Sequence, residues 1–125
     1  MGEGQGIIAC FYDCDQTLIP DYMQDPMLQH LGVDPKEFWD DNQKLKKGAS
    51  AVDVDINSEN SYMINLILYI KEGKLPPLSN ADLIKYGKEL IIPYPGLPEF
   101  FIRTKDDVKK SYGQQDISLE HYVIS

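Results

Sequence analysis

The stretch Gly6-Ile7-Ile8-Ala9-Cys10-Phe11-Tyr12-Asp13-Cys14-Asp15-Gln16-Thr17-Leu18 decides how this chain is read. Its apolar, partly β-branched run predicts a strand over about Ile7 to Tyr12, of the kind that lies buried in a parallel sheet. Two carboxylates and a hydroxyl follow at alternate positions where that strand ends. Open α/β sheets place their ligand sites at such strand ends. One carboxylate can attack there while the other moves protons, and a hard cation can bridge the first to a phosphate.

Beyond Leu18 the pattern turns helical and is clearly punctuated. Asp25-Pro26 opens a short helix that stops before Gly32. Asp34-Pro35-Lys36-Glu37 resembles a capping box with proline at the first helical position, and Gly48 is expected to close the helix it starts. A polar patch from Ser50 to Asn60 leads into an apolar helix from about Ser61 to Glu72, ended by Gly73. Ser79-Asn80-Ala81-Asp82 starts another helix, running to about Ile91, and Tyr94-Pro95-Gly96 breaks the chain again. A further helix runs from Pro98 to about Tyr112, and Glu120 to Ser125 reads as a short apolar strand ending in a hydroxyl. Two strands thus bracket a block of helices. The fold class expected is α/β, part of a Rossmann-like parallel sheet core with an inserted α-helical cap. Residues 1–18 and 94–125 would form the core, with Pro98 to Tyr112 as the right-handed crossover. Residues 19–93 would form the cap.

Phosphate-monoester hydrolysis is among the slowest uncatalysed reactions, so its catalysis needs several cooperating effects. A carboxylate nucleophile splits it into formation and breakdown of an acyl-phosphate. A divalent metal offsets repulsion between that carboxylate and the phosphoryl group. A second acid protonates the leaving oxygen and then activates water. Two carboxylates this close titrate as a pair, which helps keep one protonated. The Asp-x-Asp-x-Thr spacing can provide all of this from one turn.

In these residues, Phe11 to Leu18, the sequence resembles the first motif of the haloacid dehalogenase superfamily of aspartate-nucleophile phosphatases. The resemblance implies Asp13 as nucleophile and magnesium ligand, and Asp15 as general acid/base whose backbone carbonyl also reaches the metal. Thr17 would help hold the aspartates and the turn. Tyr122-Val123-Ile124-Ser125 is similar to the second motif, in which the hydroxyl, here of Ser125, binds the phosphoryl group. Asp15 favours the phosphatase branch of the family over its metal-free dehalogenases. The family's third-motif basic residue and fourth-motif acids have no counterpart after Ser125. The expectation is therefore an N-terminal portion, nearly inactive alone, whose missing C-terminal part completes the site. The implied activity is magnesium-dependent hydrolysis of a small phosphorylated metabolite. The alternatives are a non-catalytic truncated product or interaction module that keeps the first motif as a remnant, or a phosphotransferase or phosphonate-cleaving variant.

Composition bounds the rest. The 125 residues are 42% hydrophobic and 26% charged, within the range of one small globular domain. A net charge of −8 and a pI near 4.6 argue against nucleic acid or an anionic membrane as partner. The longest apolar run, Met63 to Ile70, is too short to span a bilayer, and no apolar leader follows Met1, so a cytoplasmic protein is expected. Cys10 and Cys14 match neither a zinc nor a redox spacing and read as buried free thiols. Asp40-Asp41 and Asp106-Asp107 fall inside helical patterns rather than at strand ends. The run Val52 to Asn57 hints at a calcium loop, but Ser58 stands where glycine is required and Ile64 where a bidentate glutamate is required. His30 and His121 are isolated. Phe38, Trp39, Tyr62 and Tyr69 read as core of the helical block.

Overall fold

The computed structural model describes residues 6–124, so Ser125 and its expected phosphate-binding role lie outside the described residues. These residues form two compact units, one from 6–23 with 91–124 and the other from 24–90. In the first, strand β1 (Gly6–Asp13) pairs in parallel with β2 (Ile117–Ile124), from Gly6 opposite Ile117 to Asp13 opposite Ile124. Helix α5 (Leu97–Tyr112) connects back to β2 through a 3-10 turn at Gly113–Gln115 and packs on the sheet. The second unit holds α1 (Asp25–His30), α2 (Pro35–Ala51), α3 (Ser58–Lys71) and α4 (Asn80–Leu90).

This overturns the expected fold class. Among the described residues the sheet has two strands and the helices number five, so the chain is α-rich rather than a Rossmann-like core with an inserted cap. The physical reason lies in β1. A central parallel strand is buried on both faces, yet Ile7 is 54% exposed and Phe11 61% exposed. Only one face of the ladder is covered. Tyr12 and His121 meet α5 there, through Phe101 and Thr104, and Leu119 is buried. The other face carries Ile7, Phe11, Tyr122 and Ile124 in the open, with Phe11 and Tyr122 stacked at 5.2 Å between ring centroids. An apolar run predicts a strand, but it does not reveal how many faces of that strand are covered.

The second unit is built from capped helices around one core. Asp34 accepts a hydrogen bond from the Lys36 N–H at 3.0 Å and starts α2. Asn57 does the same for Asn60 at 2.8 Å, so α3 begins three residues earlier than its apolar pattern suggests. Ser79 and Asp82 bond reciprocally at the start of α4. Gly73, at a φ of 73°, supplies the left-handed residue that ends α3. Gly48 does not close α2, which runs on through Ala49 and Ala51. Leu28, Val33, Phe38, Tyr69 and Leu75 form the core, flanked by Leu31, Trp39, Tyr62, Leu66 and Ile70. Asn65 donates from its amide to the Phe38 carbonyl at 3.0 Å, satisfying a buried acceptor between α2 and α3.

A second tie between these helices is ionic. The Tyr69 hydroxyl donates to the Asp41 carboxylate at 2.7 Å, and Lys44 and Lys74 lie at 2.8 and 3.8 Å from the same group. Lys44 and Tyr69 hold the Asp41 carboxyl below its usual pKa of 3.8, while burial and Asp41 push the Tyr69 hydroxyl above its usual 10.0. A depressed carboxyl stabilises the fold above its unfolded pKa and loses that contribution as pH falls through the folded one. A raised phenol stabilises the fold below its unfolded pKa and loses that contribution as pH rises toward the folded one. Thermal denaturation followed by circular dichroism should therefore show a stability decline below about pH 3.8 and another above pH 10. Tyr69→Phe should flatten the alkaline decline.

Candidate functional site

The chain reverses direction immediately after β1, and the reversal is organised by one carbonyl. The N–H groups of Thr17, Leu18 and Ile19 all point to the Cys14 oxygen, at 3.2, 2.9 and 3.3 Å. Gln16 sits at the centre with a φ of 57°, a left-handed conformation that glutamine rarely adopts. Strain of this kind persists where surrounding bonds over-determine it. Here the Tyr94 N–H donates to the Leu18 carbonyl at 2.9 Å, fastening the turn to the segment that leads into α5. Leu18 and Ile19 are buried beneath it.

The two aspartates stand differently on this turn. Asp13 is exposed at the end of β1, and its Oδ1 accepts from the Cys14 N–H at 3.0 Å. Asp15 is half-buried, and its Oδ1 accepts from the Met23 N–H at 3.0 Å, eight residues on. In each carboxylate Oδ1 is committed to the backbone, and Oδ2 makes no such bond among the described residues. Thr17 contributes through its backbone N–H, and its exposed hydroxyl bonds to neither aspartate. Burial, then the charges of Asp15 and Asp13, push the Cys14 thiol up. A thiol held protonated is a poor nucleophile at neutral pH, so the reactive groups of this turn are its oxygens.

The donor set suits a hard cation. Magnesium is usually held by one or two carboxylates together with waters and substrate phosphates, and Asp13 supplies an exposed one at the strand end. Among the described residues no group of three or more His, Cys, Asp or Glu gathers as a metal cage. Asp40, Asp41, Asp106 and Asp107 lie within α2 and α5. An open groove of about 310 Å³ occupies the other end of β2, lined by Lys105, Lys109, Asp116 and Ile117. Ligand sites of parallel sheets lie outside the carboxyl ends of the strands, where Asp13 is, and not at this end.

In the sequence His121 is isolated from any partner. In the fold it is a polar hub between sheet and helix. The Tyr12 hydroxyl lies 3.0 Å from its Nδ1, and the Thr104 hydroxyl lies 3.0 Å from its Nε2. Thr104 has one hydroxyl proton, which it gives to the Phe100 carbonyl at 2.8 Å, so Nε2 must donate to Thr104 and Nδ1 must accept from Tyr12. Burial and the Cys10 thiol push the Tyr12 hydroxyl up, which keeps it a donor. The ring of Phe101 lies 4.9 Å from the imidazole. No local pattern around His121 signals this, because its partners lie 109 and 17 residues away.

No protein-family profile matches the chain, and no solved structure matches it. The chain is similar to an uncharacterized protein of Borreliella burgdorferi, at 31% identity over 126 residues. The similarity covers 100% of this chain but only 44% of that relative, so the chain spans less than half the length of the protein it matches. No helix among the described residues is long and apolar enough to cross a membrane.

Removing the Asp15 carboxylate leaves the half-buried Met23 N–H without its acceptor. Asp15→Ala should cost about 1 kcal/mol in urea denaturation, the usual size for a backbone donor left unpaired. Asp13→Ala removes only an exposed contact with its own neighbour and should change stability by less than about 0.5 kcal/mol.

Proposed function

We propose that this chain carries the nucleophile-bearing segment of a magnesium-dependent phosphohydrolase similar to the haloacid dehalogenase superfamily, acting on a small phosphorylated metabolite. The observation that carries the proposal is the placement of Asp13, exposed at the carboxyl end of a parallel strand, with Asp15 pinned two residues later. Asp13 Oδ2 attacks phosphorus, and the bond to the substrate's leaving oxygen breaks. Asp15 gives that oxygen its proton. Asp15 then takes a proton from water, whose oxygen attacks the acyl-phosphate, releasing inorganic phosphate and restoring the Asp13 carboxylate. The Asp13 carboxylate and the Asp15 backbone carbonyl would hold magnesium, which supplies charge neutralisation between nucleophile and phosphoryl group.

The pinning of Asp15 supports the division of roles, since a proton carrier must be held within reach of the bond it serves. The two free cysteines suit a reducing, cytoplasmic setting. An interaction module that keeps this turn as a remnant is the second reading, favoured by the open apolar face of the β1–β2 sheet.

A screen of phosphorylated metabolites with magnesium separates the two. The longest natural form of the protein should hydrolyse at least one of them, and Asp13→Asn in that form should lower kcat by at least about a thousandfold, as expected for loss of a nucleophile. Residues 1–125 alone should be nearly inactive. Equal activity of the Asp13→Asn protein and its parent excludes the nucleophile assignment.

A further inference from the structure

Helix α3 carries apolar residues on two sides. Tyr62, Leu66, Tyr69 and Ile70 pack on the core, with Ser61 and Asn65 also buried. Its outward stripe is apolar: Met63 is 54% exposed, Ile67 55% and Ile64 37%. Exposed Glu59 and Lys71 extend the row at the same four-residue spacing, giving Glu59, Met63, Ile67 and Lys71 on one ridge of the helix. Neither end residue forms an ion pair with a described residue, whereas Lys36, Lys44 and Lys74 do.

We propose that this ridge is a self-association surface, on which a second copy of the chain packs its own α3 in antiparallel orientation. Rows spaced by four residues pack into the matching grooves of a partner helix in the commonest class of helix crossing. A twofold axis through the centre of the row sets Met63 against Ile67 of the other copy and Glu59 against its Lys71. Twofold symmetry then repeats each contact. The charge pattern is what commits the surface to a like partner. At a net charge of −8 two copies repel each other, so an apolar stripe alone would not select a second copy. A row that begins with an acid and ends with a base is complementary to itself only when antiparallel. One helix pair buries less than the roughly 1,000 Å² of a stable interface, so the dimer is reversible and concentration-dependent.

Sedimentation equilibrium on the 125-residue chain tests this. The apparent mass should rise from 14.2 kDa toward twice that value as concentration increases to roughly 1 mM. Glu59→Lys and Lys71→Glu each set like charges together at two symmetric places and should weaken the dimer about tenfold. The Glu59→Lys/Lys71→Glu double variant should recover it. Ile67→Glu should give a monomer, whereas Ile84→Glu, at an exposed apolar position on α4, should not. Circular dichroism establishes that each variant keeps its helices. A monomer throughout the concentration range overturns the proposal, as does a dimer that Ile67→Glu leaves intact. Failure of the double variant to recover the dimer overturns the antiparallel register.

Discussion

The parallel pairing of β1 with β2 is the constraint on which the Asp13 turn and its surroundings depend. It joins residues more than a hundred positions apart, from Gly6 with Ile117 to Asp13 with Ile124. Closing so long a loop is less costly than its length suggests, because the entropy grows only with the logarithm of length. Residues 24–90 also fold around their own core and do not behave as free chain. The register matters because side chains alternate between faces. A slip by one residue would turn either Tyr12 or His121 away from α5 and separate the two. The same slip would move Asp13 relative to the end of its partner strand.

A two-stranded ladder is marginal by itself, and strands gain independent stability by packing against a helix. α5 supplies that packing, and His121 makes it specific. Apolar contacts from Phe100 and Phe101 would tolerate small rotations of the helix. The chain of donors from Tyr12 through His121 and Thr104 to the Phe100 carbonyl does not. Each group in it has a fixed direction of donation, so the helix is set at one rotation against the sheet. The segment just before α5 is in turn bonded to the Asp13 turn through Tyr94. Placement of the turn is thus inherited from a polar network on the covered face of the sheet.

Much of the local structure was legible because its signals are short-range. Asp34 with Pro35, Ser79 with Asp82, and Gly73 and Gly96 act within a few residues, and they mark real helix ends. Errors arose where two signals competed. Gly48 carries a helix-breaking propensity that the alanines after it outweigh, and Asn57 caps α3 upstream of its first apolar residue. β2 begins at Ile117 because pairing with β1 recruits Ile117, Ser118 and Leu119, which alone hold too little pattern to predict a strand. The Rossmann-like expectation failed for a different reason. Apolar residues in β1 predict a buried parallel strand, but cover on both faces is a tertiary property. α3 carries the same lesson in reverse. Its apolar run predicts a helix, and the fold buries Ser61 and Asn65 within that run while leaving Met63 and Ile67 exposed.

The Asp13 turn itself was legible as a pattern of residue types, and the structure adds how its oxygens are divided. Asp13 and Asp15 each bond the backbone through Oδ1 and leave Oδ2 outside those bonds. Their backbone anchors also differ in reach. Asp13 is held by its own neighbour, so it keeps its place at the strand end without being drawn into the turn. Asp15 is held from eight residues away, so the return of the chain through Met23 fixes its orientation. With Gln16 strained between Asp15 and Thr17, and three N–H groups converging on the Cys14 carbonyl, the backbone has little freedom to redirect either side chain. The result is one exposed and one half-buried carboxylate, each bonded to the main chain through one oxygen.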